Sequence, residues 1–89
     1  MFFVYMIKNS ANLLYVGITE DPNARVLYHN QKRGAGFTKH IPTYKIVFLE
    51  QHLTLTEARR REIQIKKWRR DKKEALIKRY SEGLATTSN

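Results

Sequence analysis

Tyr5 and Tyr15 lie in two neighbouring segments, Val4-Tyr5-Met6 and Tyr15-Val16-Gly17, and Arg25 and His29 follow at helical spacing. Glu62 then stands in the apolar stripe of a later, strongly basic segment. Two hydroxyls, a cation, a proton carrier and a carboxylate are the groups that cutting a phosphodiester requires. A phenol donates and accepts a hydrogen bond, but with a reference pKa of about 10 it serves as a base only where a cation or metal lowers that value. An arginine fork clamps phosphate oxygens and meets charge that builds on phosphorus. A neutral histidine relays a proton or orients water. Each residue also has an ordinary structural explanation, since strand tyrosines pack, arginines lie on surfaces and histidines are half-buried. Their order as a set is what distinguishes them.

Leu55, Ala58, Glu62 and Ile65 recur at helical spacing, so a carboxylate interrupts an apolar face. An ionised carboxylate placed there needs a partner or a bound cation. Magnesium takes oxygen ligands, keeps most of its waters and often needs only one or two protein carboxylates. The alternative is an ion pair with Lys66, one turn further on. Gly17, inside a strand, marks close approach of another group.

These residues need elements to position them. Alternating aromatic and β-branched residues predict a strand over Phe2–Lys8, a turn at Asn9-Ser10-Ala11-Asn12, and a hairpin partner over Leu13–Ile18. Period-two alternation puts Phe3, Tyr5 and Ile7 on one face of the first strand and Tyr15 and Gly17 on one face of its partner, and a hairpin can bring both phenols to the same patch. Asp21-Pro22 predicts a helix start, running to about Gln31. A glycine-containing loop over residues 32–40 leads to a third strand, Tyr44–Glu50. Thr54-Leu55-Thr56-Glu57 matches a capping box and opens a long helix to about Arg70; Asp71 is the candidate cap of a third helix, Lys72–Tyr80. The order is β-β-α-β-α-α, an α+β class, with one domain over residues 1–80 and a frayed polar tail over 81–89. His40 and His52 take no assigned role.

Eighty-nine residues allow one modest core, and 42% hydrophobic residues without low-complexity tracts predict a folded globule. The absence of cysteine excludes disulfides, thiolate metal sites and thiol nucleophiles, and suits a reducing cytoplasm. The apolar opening Met-Phe-Phe-Val-Tyr-Met-Ile is too short for a membrane span and has no basic flank. The net charge is +9. Of this, +8 falls between Arg59 and Arg79, where eleven Lys/Arg face three acids. Such concentration is an electrostatic footprint for nucleic acid, with a membrane surface as the rival.

The chain resembles the GIY-YIG nuclease superfamily, and looks most like its small stand-alone bacterial members. The motifs that carry the resemblance are Phe3-Val4-Tyr5, Tyr15-Val16-Gly17, and Arg25-Val26-Leu27-Tyr28-His29-Asn30, followed by Thr38, Pro42 and Glu50. Glu57-Ala58-Arg59-Arg60-Arg61-Glu62 and Gln64-Ile65-Lys66-Lys67 complete the match. One departure is Phe3, which stands where the first motif has its leading glycine. The resemblance implies a three-stranded, mostly antiparallel sheet flanked by helices, and hydrolysis with Mg2+ or Mn2+. By position it implies that Glu62 ligates the metal, Tyr5 activates water with His29 assisting, and Arg25 stabilises charge on phosphorus. Tyr15 would hold water or phosphate, and Gly17 would be structural.

Lys66, Lys67, Arg69, Arg70, Lys72 and Lys73 are the candidate backbone-phosphate contacts, which position a nucleic acid without reading its sequence. DNA is favoured over RNA, with a partner protein or homodimer as further company, and repair or recombination enters by analogy. Three classes follow: a metal-dependent endonuclease, a nucleic-acid-binding module of the same fold without turnover, and a basic interaction protein that meets an acidic partner or lipid headgroups.

Overall fold

A computed structural model of the chain describes residues 1–32 and 43–87, the side chain of Lys32 excepted. Thr38, His40, Pro42 and the glycine pair of the loop lie outside the described residues. The elements are β1 (Phe2–Lys8), β2 (Leu14–Thr19), α1 (Pro22–Lys32), β3 (Lys45–His52), α2 (Leu55–Lys66) and α3 (Arg70–Ser81), in the order the sequence predicts. The sheet order is β2-β1-β3 with both pairs antiparallel, so β1 is central.

Alternation divides the sheet into two faces. Val4 pairs with Ile18 and Glu50, and Met6 with Val16 and Phe48, on one face. There α2 and α3 lay Ala58, Ile65 and Leu76 over the strands, giving a core in which Val4, Met6, Phe48, Ala58 and Ile65 are fully buried. On the other face Tyr5 pairs with Gly17, and Ile7 with Tyr15. A register shift between Met6 and Ile7 leaves Val47 as the extra residue of β3, because Met6 faces Phe48 and Ile7 faces Ile46.

The turns and ends follow from local chemistry. Asn9 Oδ1 accepts from Leu13 N at 3.0 Å, and Asn12 takes a left-handed φ of 68° that asparagine tolerates. Asp21 Oδ1 accepts from Ala24 N at 3.1 Å, capping α1. Thr54 caps α2 by accepting from Glu57 N at 3.1 Å.

Two helix boundaries differ from the sequence reading. α2 ends at Lys66, four residues early, where Trp68 N bonds Ile65 O at 3.0 Å and the indole packs against the core. Burying that ring turns the chain out of the helix. α3 starts at Arg70 with Arg69 at the cap position and no side-chain cap bond; Asp71 lies in the first turn, where its charge favours the helix N-terminus. The stretch after α3 is ordered by a left-handed Gly83 (φ 73°), with Gly83 N bonding Tyr80 O at 3.1 Å and Leu84 N bonding Arg79 O at 2.9 Å. The chain then returns to β3 and α2, where Thr86 Oγ1 donates to Glu50 at 2.9 Å. Among the described residues, no helix is long and apolar enough to cross a membrane.

Candidate active site

The face of the sheet opposite the core gathers Tyr5, Tyr15, Gly17 and His29. Tyr5 is buried, 3% exposed, whereas Tyr15 is 45% exposed. Their rings stack with centroids 6.2 Å apart and planes at 25°. The reason the Tyr5 ring can lie where it does is Gly17, directly across the ladder: no side chain stands between them.

α1 brings His29 onto this pair. Tyr5 Oη lies 3.3 Å from His29 Nε2, and the imidazole centroid is 4.6 Å from that of Tyr15. Tyr28 and Tyr44 each place a ring 6.1 Å from the imidazole. Asn30 fixes Tyr44 through its backbone, Oδ1 accepting from Tyr44 N at 2.7 Å and Nδ2 donating to Tyr44 O at 3.3 Å. Tyr28, Tyr44 and Asn30 were without a role in the sequence reading. The only local signal was their adjacency to His29 or to the start of β3.

Burial pushes the Tyr5 hydroxyl up to about 12, with a further rise from Tyr15 and from the Glu62 carboxylate, opposed by the Arg25 guanidinium. Arg25 and Glu62 are thus both within electrostatic reach of the buried phenol. Tyr5 keeps its proton throughout the neutral range and donates to His29 Nε2 when the ring carries its own proton on Nδ1. Arg25 also lies over the Tyr28 ring, its Cζ 5.7 Å from the centroid.

Glu62 combines the two readings of the sequence. Its side chain is only 16% exposed, and Lys66 Nζ lies 3.0 Å from its Oε2. Of its companions in the stripe, Ala58 and Ile65 are fully buried, while Leu55 is at the rim and 41% exposed. No group of three or more His, Asp or Glu gathers around a common point among the described residues. Glu62 is a single carboxylate within electrostatic reach of the Tyr5 phenol. That oxygen donor set fits a hard divalent ion that keeps most of its waters, and does not fit zinc's nitrogen and sulfur preference.

The six basic residues named as phosphate contacts are placed unequally. Lys66 is paired with Glu62. Arg70 bonds Glu74 at 2.7 Å and Asn12 O at 2.8 Å, fastening α3 to the β1–β2 turn. Lys72 Nζ lies 4.4 Å from the Trp68 ring centroid, and Arg69 is 3.7 Å from Asp71. Lys67 and Lys73 make no ion pair among the described residues.

A second polar cluster lies on the core face. The Glu50 carboxylate accepts from Arg61 Nε at 2.8 Å and from Arg61 Nη2 at 3.3 Å, with His52 Nε2 at 3.0 Å. Arg61 also donates to Thr86 O at 2.8 Å and to Gln64 Oε1 at 2.7 Å. The cluster joins β3, α2 and the stretch after α3 beside an open depression of 580 Å³.

With this geometry in place, comparison with known proteins is decisive. Residues 1–75 match the GIY-YIG catalytic domain. The chain belongs to the GIY-YIG family. Its GIY-YIG domain is of a nuclease type, and its relatives are small proteins of similar length. The UPF0213 protein of Staphylococcus aureus strain Mu3 is 45% identical over 76 residues, covering 85% of this chain and 93% of the relative. The counterpart in strain Mu50 matches equally. The solution structure of a UPF0213 protein from Bacillus halodurans superimposes with a TM-score of 0.56 at 29% identity, over 88% of this chain and 84% of that one. None of these names states an activity.

Proposed function

We propose that this GIY-YIG chain is a divalent-metal-dependent endonuclease that hydrolyses DNA. The supporting observation is the gathering of Tyr15, His29, Arg25 and Glu62 about the Tyr5 phenol. Glu62 is the residue that would hold magnesium or manganese. Such an ion, when bound, neutralises phosphate oxygens and makes water more acidic.

The chain's own groups do the rest. Arg25 donates to the non-bridging oxygens and stabilises the charge that builds on phosphorus. A phenol of pKa about 12 is a poor base alone. The Tyr5–His29 pair solves this by relay: the attacking water gives its proton to Tyr5 Oη as Tyr5 gives its own to His29 Nε2. Tyr5 stays neutral and His29 ends as imidazolium. The P–O bond opposite the new one breaks, the departing oxygen takes a proton from solvent, and His29 returns its extra proton to solvent. Tyr15, half exposed, holds the water or a phosphate oxygen. Lys67 and Lys73, which make no ion pair among the described residues, contribute sequence-independent phosphate contacts. A cytoplasmic role in repair or recombination is the extension of this reading by family analogy.

The experiment is cleavage of end-labelled single-stranded, duplex, flap and branched DNA with magnesium, manganese or EDTA, comparing wild type with Glu62→Ala. Metal-dependent products that vanish in the variant are expected. Salt-sensitive binding without products from any substrate overturns the nuclease reading and leaves a non-catalytic binding module. The observation that favours this second reading is the Lys66 ammonium already seated on Glu62.

A further inference from the structure

Three shallow depressions run into one another along the seam between the start of α1 and the start of α2. The first, of 210 Å³, and the second, of 460 Å³, share Thr19, Asp21 and Arg25. The second and the third, of 330 Å³, share Leu55 and Arg59. Together they form one furrow.

Arg25, Arg59 and Arg60 stand along it, all exposed, and none makes an ion pair among the described residues. This distinguishes them from Lys66, Arg69 and Arg70, whose charges are already matched. Between the arginines the surface is apolar. Phe2 and Ile18 line the middle depression, and Leu55 and Ile63, 41% and 47% exposed, continue it. Glu20 and Asp21 also line the middle depression. Asp21 is occupied as the cap of α1, and the charge of Glu20 turns phosphates toward the arginine side.

We propose that this furrow carries single-stranded DNA past the catalytic group, with phosphates on Arg59 and Arg60 and bases on the apolar strip. The proposal rests on the nuclease reading for its direction, since Arg25 belongs to both the furrow and the site and Arg59 precedes Glu62 by one helical turn. Single strands are favoured over duplex because only unpaired bases offer their faces to an apolar surface. In a duplex those faces are stacked, and phosphates alone remain to be bound. The substrate then approaches between the starts of α1 and α2, using two of the eleven basic residues that lie between Arg59 and Arg79.

The test uses the full chain in EDTA, so binding is read without cleavage. Anisotropy of a labelled oligothymidylate is measured over a salt titration for wild type, for Arg59→Ala/Arg60→Ala, and for Lys45→Ala at the start of β3, opposite Lys8. A hairpin duplex and an oligouridylate of equal phosphate count serve as competitors, and circular dichroism checks folding. Expected are preference for the thymidylate over both competitors, and loss of affinity in the double variant by more than about tenfold at 0.1 M salt. The salt slope should flatten by about 1.4, since each phosphate contact on a single strand contributes about 0.7. Lys45→Ala should remain within about twofold of wild type. An unchanged slope in the double variant, tighter duplex binding or tighter uridylate binding overturns the proposal. Because no cutting is required, a chain that never cleaves DNA still tests the furrow. Conversely, cleavage that persists while the double variant binds as wild type removes the furrow and leaves the nuclease standing.

Discussion

The Tyr5 phenol lies across the bare α-carbon of Gly17, its direct partner on the neighbouring strand. A β-carbon at residue 17 would sit 2.6 Å from Tyr5 Oη, 2.7 Å from Cζ and 2.9 Å from Cε2. The tyrosine of the first motif and the glycine of the second are therefore one steric unit.

Gly17→Ala should force the ring out of place, destabilise the chain by about 1–3 kcal/mol and depress any cleavage. Removing the hydroxyl by Tyr5→Phe should not relieve the clash, because two of the three crowded atoms are ring carbons. Tyr5→Ala should relieve it, so the double variant should be less destabilised than the sum of the singles. Urea unfolding of the four proteins measures this, and strict additivity would refute the steric unit.

Alkaline titration offers a second check. The Tyr5 hydroxyl is raised to about 12, above the unfolded value of about 10, so folding stabilises its protonated form. That contribution is complete below pH 10 and is lost as pH rises toward 12. Tyrosinate absorbance should show one late-titrating phenol that is absent in Tyr5→Phe. Loss of no late component in that variant would mean the burial of Tyr5 does not govern its ionisation.

The Glu50–Arg61 pair is a stability element. Both side chains are largely buried, 8% and 14% exposed, and bonded to each other twice. Arg61→Ala leaves a buried carboxylate with only His52 and Thr86 as partners, and a loss of about 3 kcal/mol, the low end for a broken buried pair, is expected by urea unfolding. Replacing Arg61 and Glu50 together by leucine and methionine should cost far less than Arg61→Ala alone.

Lys66→Gln should behave differently. The ammonium is half exposed, so stability should move by no more than about 0.5 kcal/mol. Its removal frees the Glu62 carboxylate, and manganese bound to the chain, counted by electron paramagnetic resonance of the free ion, should increase. Unaltered manganese binding would show that Lys66 does not compete for Glu62.

Much of this was legible in the residues. The alternation of β1 and the Asp21 and Thr54 caps are local signals, and local chemistry decided them. Tyr5, Tyr15, Gly17 and His29 were readable because period two and period 3.6 project residues onto faces before any fold is known. The end of α2 was not, because the helical pattern continues through Lys67 and only the burial of Trp68 against distant strands stops it. The ties of Arg70 to Asn12 and of Arg61 to Thr86 join segments far apart in the chain, so an exposed basic run and a structural clasp looked alike. The furrow was hidden for the same reason: Arg25 and Arg59 meet only when α1 and α2 are docked.

The central position of β1 governs how the site comes into being. Tyr5 lies on the strand of the sheet that comes first in chain order, yet that strand completes its ladder only after β3 arrives, and its core face is covered only after α2 docks. Its amides should therefore be the slowest to exchange with solvent, and the Tyr5 phenol should settle only once β1 is paired on both sides. A nascent chain carrying this much positive charge can meet polyanions early, whereas the gathering of Tyr5, Tyr15 and His29 waits for the completed fold.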